Sequence, residues 1–519
     1  MTQKLKSYVQ GRWFEGVGEG TPVRDPTSEE VLATVSTEGL DFEAALTMAR
    51  AEGLSAIRSV GFAQRAGWLT ALASALHAHR DELLELSTRS GGNTRSDAKF
   101  DVDGATQTMA FYAKLGESLG STNFLLDGES ESLTRSPRYI GQHVRVPRDG
   151  VAVHINAFNF PAWGMGEKLA VSLLAGMPTI VKPATSTLPL AVRMMEIMVD
   201  ADVLPHGVLS LVAGSCGDLV DRLDHQDVLA FTGSALTGNV LRSRPNIIAS
   251  TVRVNVEADS LNAAVLGPDV EPSSDTFDLF VREVTRDMTQ KSGQKCTAIR
   301  RVLVPAQIVD AVIAALKEEI LRVRVGNPAL KDVRMGPLAT ESQLKDVREG
   351  IQRLTAVASF VHGDGGRGDL VGVEPDRGYF LAPCLLVVTD PDTAHIVHDL
   401  EVFGPVTTIV PYDGSSARAS SLIRRGRGGL VSSIYSDDRE FIQGVVLGVA
   451  SHHGRLTIGS ARVAEHSPGP GTVLPSMIHG GPGRAGGGEE LGGLRGLNFY
   501  LQRTAVQGEK PLLQRIFGS

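Results

Sequence analysis

Cysteine is scarce: three occur in 519 residues, Cys216, Cys296 and Cys384, and no two form a CxxC pair. That excludes a disulfide framework and a clustered thiolate zinc site, so no metal is expected and a reducing, cytoplasmic home is. The glycine fingerprint of a standard dinucleotide fold is also missing, because Gly164-Met165-Gly166 is followed by Leu169 where a third glycine is needed. Long apolar runs are absent. The longest, Leu169 to Val181, is broken by Ser172, Gly176 and Pro178, and the opening Met1-Thr2-Gln3-Lys4-Leu5-Lys6 leads into mixed polar sequence. Neither a membrane span nor a signal peptide is expected. Nor is there an excess of positive charge: 51 Lys and Arg against 59 Asp and Glu leave a net charge of −8, which removes any general attraction for nucleic acid or anionic membrane.

What remains is a globular chain, 42% hydrophobic and 21% charged, long enough for two or three domains. From Val151 onward, apolar runs at 151–155, 179–181, 208–212, 228–231 and 251–256 read as strands, with a helical pattern between them at Leu188 to Val203. This βαβ alternation implies a parallel sheet that binds ligands at the carboxyl ends of its strands. A second α/β block runs from about Asp259 to Pro470. It opens with a helix over Thr276 to Met288, whose Phe277, Phe280, Val281, Val284 and Met288 share one face. The glycine-rich run from Gly480 to Gly488 reads as an ordered loop leading to β-leaning residues at 498–506.

Four local patterns carry chemistry. Ser292-Gly293-Gln294-Lys295-Cys296-Thr297 follows an apolar-faced helix and precedes a strand at 301–304. A cysteine on such a turn can present sulfur to a cleft beside backbone N–H groups, although a lone cysteine is more often a packing residue. Asn159, in Phe158-Asn159-Phe160-Pro161, can donate its amide to a substrate oxygen or simply cap the helix that starts near Trp163. Glu257 ends a strand, where it is a general base or a solvated strand end. Lys182 ends another strand, and Thr232-Gly233-Ser234 leads into a helix whose N–H groups can meet a phosphate.

In order, NFP at 159–161, VKPA at 181–184, FTGS at 231–234, Glu257, GQKC at 293–296 and EVFGPV at 401–406 resemble the aldehyde dehydrogenase superfamily over nearly the whole chain. The resemblance implies the fold: a Rossmann-like coenzyme domain (1–126 and 149–258), an α/β catalytic domain (259–475), and a small β oligomerisation element (127–148 and 485–519) that builds a homodimer or dimer of dimers. It also implies the chemistry. Cys296 attacks the aldehyde, the Asn159 amide and Cys296 N–H hold the oxyanion, and Glu257 activates water to hydrolyse the thioester. Phe158, Lys182, Thr185, Gly233, Ser234, Glu401 and Phe403 surround the coenzyme. Members that prefer NAD commonly carry glutamate where this chain has Thr185, so NADP is expected to be preferred, with NAD possible.

Phe158 in place of tryptophan, the 39 residues from Glu257 to Cys296, and the ending GGPGRAGGGEELGGLRGLNFYLQRTAVQG resemble a narrower branch. It comprises the dehydrogenase half of bifunctional ring-cleavage enzymes of phenylacetate degradation and stand-alone relatives that oxidise 3,4-dehydroadipyl-CoA semialdehyde in benzoate oxidation. Because the chain stops at Ser519 without a hydratase domain, the stand-alone form is expected, with Arg424, Arg425 and Arg427 as candidates for CoA phosphate contact. Three alternatives remain at this point: a general aliphatic aldehyde dehydrogenase, an acylating enzyme that passes the thioester to CoA, and a non-catalytic protein retaining the fold. A cysteine hydrolase is disfavoured because no histidine stands beside Cys296 in the sequence.

Overall fold

Five strands of one seven-stranded sheet run parallel, in the order Arg253–Glu257, Val228–Thr232, Ala152–Ile155, Thr179–Lys182, Leu209–Leu211, and the hairpin Ser7–Val9 and Arg12–Phe14 closes the far edge antiparallel. The structure, a computed structural model, describes residues 3–518; Met1, Thr2 and Ser519, which the expected domain ends include, lie outside the described residues. From Ala152–Ile155 the chain steps outward in one direction through 179 and 209, then returns to the other side at 228 and 253. That reversal opens a crevice beyond the carboxyl ends of Ala152–Ile155 and Val228–Thr232, where open α/β sheets bind ligands.

The residues explain the layers. Leu188–Asp200 starts with Pro189 in its first turn and buries Leu188, Leu190, Ala191, Met194, Met195, Ile197 and Met198. It stops before the expected Val203 because Asp202 takes a left-handed φ of 47°. That helix joins Phe62–Ala78, Arg95–Leu119 and Trp163–Ala175 in one continuous core over one side of the sheet, while Phe42, Leu46, Phe231 and Ile247 belong to the core on the other. Each large apolar side chain so buried contributes roughly 1.5–3 kcal/mol before entropy is set against it.

A second seven-stranded sheet has the order Ala358–His362, Cys384–Val388, Val406–Tyr412, Arg301–Pro305, Ala263–Leu266, Gly429–Tyr435, His453–Gly459, parallel except for its first strand. The expected helix at 276–288 is Asp275–Thr289, capped by Ser274 Oγ on the Phe277 N–H, with all five predicted apolar residues buried. A third, small sheet pairs Leu501–Glu509 antiparallel with Tyr139–Pro147 over nine residues, from Leu501 opposite Pro147 to Glu509 opposite Tyr139. These are the Rossmann-like, α/β catalytic and small β layers expected from the resemblance. No helix among the described residues is long and apolar enough to cross a membrane.

Candidate active site

After Thr289 the helix cannot continue, because Lys291, Ser292 and Gly293 all take left-handed φ values of 52°, 55° and 68°. Such backbone costs about 1–3 kcal/mol for each non-glycine residue and persists only where the surroundings fix it. They do so here. Ser292 Oγ donates towards Gly336 O (2.8 Å) and Pro337 O (3.1 Å), and Lys291 Nζ donates to Asn93 Oδ1 at 3.0 Å. Lys295 Nζ is buried on Asp287 Oδ1 at 2.5 Å. Arg300 ties Gly293 O (2.9 Å), Lys295 O (3.1 Å) and Gly404 O (2.8 Å) together. A Cβ on Gly293 would sit 2.2 Å from Gly404 O, so glycine is what lets this loop lie against the 401–406 segment. Asn262 Nδ2 holds the Cys296 carbonyl at 2.8 Å.

Three side chains from separate elements meet at the sulfur. Glu257, the last residue of its strand, is 2% exposed. His479, on the short strand Ile478–Gly480, places Nε2 3.1 Å from Glu257 Oε1 and 3.9 Å from Cys296 Sγ. A histidine therefore does stand beside Cys296, correcting the expectation drawn from its sequence neighbours; it comes from 183 residues away. Burial and the adjacent Glu257 carboxylate push the Cys296 thiol well above its ordinary value. Burial alone would raise Glu257, but the charge and contact of His479, with Lys168 behind it, hold that carboxyl below its usual range. Burial opposes charge on His479, and Glu257 more than offsets it, so the imidazole titrates above its usual value. Behind them Lys168 Nζ joins Glu490 Oε2 (3.0 Å) and Glu167 Oε1 (3.3 Å).

Asn159 does not cap the following helix; Asp101 does, accepting from Trp163 N–H at 2.7 Å and Ala162 N–H at 3.3 Å. The Asn159 amide instead donates to Gln294 O at 3.0 Å, fixing it beside the cysteine loop. Asn159, Glu257 and Cys296 line two cavities at once. A narrow one of about 500 Å³ is walled by Phe100, Phe160, Trp163, Val473 and His479. A wide cleft of about 1330 Å³ runs along Ala184, Gly233, Ser234, Glu401, Phe403 and Arg484. A nucleophile, a carboxylate and an amide donor between two cavities suit transfer of an acyl centre between two bound molecules.

Comparison with known proteins decides the family. The profile described as "Aldehyde dehydrogenase family" matches residues 13–506. The chain belongs to the aldehyde dehydrogenase family. It is 45% identical over 481 residues to a 3,4-dehydroadipyl-CoA semialdehyde dehydrogenase of Aromatoleum evansii, covering 92% of this chain and 93% of that one. A putative aldehyde dehydrogenase of Staphylococcus aureus (strain MSSA476) is 26% identical over 98% of this chain and 99% of its own. Among solved structures, betaine aldehyde dehydrogenase from Staphylococcus aureus in complex with NAD+ superposes with a TM-score of 0.84 at 24% identity, covering 97% of this chain and 95% of that one. As a member of the family, the protein is an enzyme that oxidises an aldehyde to the acid through a cysteine.

In this aldehyde dehydrogenase the wide cleft is lined by most of the residues expected around the coenzyme. Phe158 and Phe403 meet edge to face with centroids 6.0 Å apart, and the Arg300 guanidinium lies 5.4 Å from the Phe403 centroid. Gly233 N–H donates to Glu257 O at 3.1 Å, and Ser234 caps the helix Ala235–Arg242 through Thr237 N–H. Burial pushes Glu401 up to about 7 against the opposing Arg300; its Oε2 accepts from Ser260 N–H at 3.2 Å, while its buried Oε1 has no hydrogen-bond donor. A carboxylate oxygen waiting for a donor at the wall of a cleft fits a ribose hydroxyl.

Two expectations are corrected on that side. NADP preference is overturned, since several solved betaine aldehyde dehydrogenases of this fold hold NAD+. The physical reason is that Thr185 lacks charge: it removes a repulsion without supplying the cation that a 2′-phosphate needs. Neither Thr185 nor Lys182 is among the residues lining the wide cleft, and burial lowers the Lys182 amine. The arginine cluster is also differently employed. Arg424 and Arg425 donate to Gly448 O (3.1 Å) and Pro391 O (2.6 Å), and Arg427 pairs with Asp399, a residue of the coenzyme cleft, at 2.6 Å. None of the three lines the narrow cavity, and each directs its charge to the protein's own carbonyls or to Asp399.

His479, Glu167, Lys168 and Glu490 escaped the sequence reading. Their signals were faint: a lone histidine before a glycine run, a Glu-Lys pair inside an apolar helix, and a Glu-Glu pair after the glycines.

Proposed function

We propose that the enzyme oxidises a CoA-linked semialdehyde of about six carbons to the carboxylic acid, with NAD+ as the oxidant and Cys296 as the nucleophile. The observation that carries the chemistry is that Cys296, Glu257 and Asn159 each face both cavities. The CoA-linked substrate is supported by the 45% likeness to a dehydroadipyl-CoA semialdehyde dehydrogenase along 92% of the chain. Phe158, Glu401, Phe403, Gly233 and Ser234 hold the coenzyme, with Lys182 and Thr185 beyond them towards its adenine side. When bound there, NAD+ supplies the hydride acceptor.

The protein's own part is to add the Cys296 sulfur to the aldehyde, the thiol proton passing to solvent, and to hold the resulting oxyanion between the Asn159 amide and the Cys296 N–H. Loss of hydride leaves a thioester on Cys296, and Glu257 takes a proton from the water that hydrolyses it. Glu257 favours this over transfer to free CoA, which needs no such base. The division into coenzyme, catalytic and oligomerisation units at 1–126 with 149–258, 259–475, and 127–148 with 485–519 is part of this proposal, as is a homodimer or dimer of dimers.

A second reading, a general aliphatic aldehyde dehydrogenase, is favoured by the narrow cavity itself, whose walls Phe100, Phe160, Trp163 and Val473 suit an unadorned alkyl chain. NADH formation at 340 nm with a CoA-linked C6 semialdehyde, beside hexanal, separates the two. A much higher kcat/KM for the CoA substrate, abolished in Cys296→Ala, is expected. Equal turnover of hexanal gives the general reading.

A further inference from the structure

Among the described residues two groups of potential ligands lie close to the nucleophile, and one of them is free of a protein cation. In the group Glu167, Glu257 and Glu490, the Lys168 ammonium already stands 3.0 Å from Glu490 Oε2 and 3.3 Å from Glu167 Oε1, where a cation would go. The group Glu257, Cys296 and His479 has no such occupant: its carboxylate oxygen, sulfur and imidazole nitrogen all lie within 4.8 Å of one another.

We propose that Glu257, Cys296 and His479 form a binding site for Zn2+, and that an ion held there shuts the enzyme off by taking nucleophile and base together. The inhibitory consequence rests on the catalytic roles given above; the binding rests on geometry alone.

Two of the ligand separations are close to those around a tetrahedral zinc ion. Zinc bonds of about 2.3 Å to sulfur and 2.0–2.2 Å to nitrogen and oxygen set ligand atoms about 3.6 Å apart for S and N and about 3.4 Å for N and O. Here the separations are 3.9 Å for Cys296 Sγ to His479 Nε2 and 3.1 Å for His479 Nε2 to Glu257 Oε1. Side-chain shifts of a few tenths of an ångström suffice on those two edges, and the third, between Cys296 and Glu257, lies within 4.8 Å.

The three supports are rigid. Glu257 ends a strand of the central sheet, His479 lies on a strand paired with Glu489–Leu491, and Cys296 sits on the tied-down loop. Glu257 Oε1 is buried, and its close polar neighbour is another of the three ligands, His479 Nε2 at 3.1 Å, so an ion between them replaces that one contact.

Charge and donor type select the ion. A thiolate and a carboxylate with a neutral imidazole carry two negative charges, which Zn2+ cancels; binding releases the thiol proton and any proton on the imidazole to solvent, and no electron is transferred. Sulfur and imidazole donors favour zinc over magnesium or calcium, which demand oxygen. All three residues line the narrow cavity, so the fourth position opens towards the space where the aldehyde would lie. Three protein ligands and an open position normally describe a catalytic zinc site; here the metal would occupy the nucleophile itself.

The test uses the full chain with Co2+ as a spectroscopic substitute and Zn2+ in competition with a chromophoric chelator. Wild-type enzyme is expected to show a thiolate-to-cobalt charge-transfer band and the visible bands of a tetrahedral ion, both lost in Cys296→Ser and retained in Cys216→Ser. His479→Phe, and the smaller polar change His479→Gln as a second variant, are expected to weaken Zn2+ binding by about 100-fold or more, at least the loss typical for disturbing a metal site's supporting residues. Aldehyde oxidation should fall in step with occupancy and recover on chelation. Unchanged Zn2+ affinity in folded His479→Phe or His479→Gln, or the absence of tetrahedral cobalt bands, overturns the site. Full activity with zinc demonstrably bound would uphold the site and overturn the catalytic roles, which keeps the two failures apart.

Discussion

The wide cleft and the narrow cavity share Asn159, Glu257 and Cys296 but are built from different parts of the chain. The wide side is walled mainly by loops leaving parallel strands, Phe158 after one and Gly233 and Ser234 after another, together with the 399–403 segment and Gln343, Asp346 and Val347 of the helix Glu341–Leu354. The narrow side is walled by side chains from helices, Phe100 and Trp163, and by the distant stretch 471–479. Backbone fixes the first, and side-chain identity fixes the second. Coenzyme binding should therefore respond to loop geometry, while aldehyde choice should change with single substitutions.

The largest expected effect falls on the shared wall. Asn159→Ala removes an oxyanion donor and should lower kcat by about 100- to 1000-fold while leaving KM for NAD+ unchanged, as initial rates over both substrates would show. A parallel rise in KM for NAD+ would mean that Asn159 instead supports the coenzyme side.

Next comes a change confined to the narrow side. Phe100→Ala should shift kcat/KM between hexanal and a bulkier aldehyde by about 10-fold, since a change of one or a few methylene equivalents in an apolar pocket carries discrimination of roughly this size. Its KM for NAD+ should stay put. An equal change for every aldehyde and for NAD+ would erase the distinction between the two walls.

The third prediction concerns titration at the boundary. Because burial first and Glu257 second raise the Cys296 thiol, Glu257→Gln should move the pH profile of iodoacetamide alkylation of Cys296 to lower pH, speeding modification near neutrality several-fold. If Glu257 instead served as the resting thiol's base, alkylation would slow.

The smallest effect lies on the wide side. Glu401 has a folded-state pKa raised to about 7 by burial. A raised carboxyl favours the fold when protonated, a contribution present below its unfolded value and lost as pH rises through about 7. Glu401→Gln should therefore gain melting temperature relative to the wild type on going from pH 5 to pH 8, by a few degrees at most. The opposite trend would show that the ion pair with Arg300, at 3.7 Å, outweighs burial.

The same contrast explains what was legible in the sequence. The wide side could be read because its residues sit in short motifs at strand ends, where short β-rich apolar runs announce a strand and the next residues must face the crevice. Even there boundaries slipped: Thr251, placed in a strand, takes a left-handed φ of 52°, and the strand begins at Arg253. The narrow side was opaque. His479 reaches Cys296 only through the pairing of Ile478–Gly480 with Glu489–Leu491, which no local pattern reveals. Lys168 looks misplaced in an apolar helix until Glu490 is brought to it across 322 residues. Conversely, Arg424, Arg425 and Arg427 drew attention by their spacing, yet their charge is directed to main-chain carbonyls and Asp399.

The most direct test of the account is intact and peptide mass spectrometry of Glu257→Gln after one turnover with aldehyde and NAD+. With hydrolysis blocked, a stable acyl adduct on Cys296 is expected, formed with one equivalent of NADH per active site. NADH release without any adduct, or an adduct on Cys216 or Cys384 instead, would contradict the claim that Cys296 carries the thioester between the two cavities.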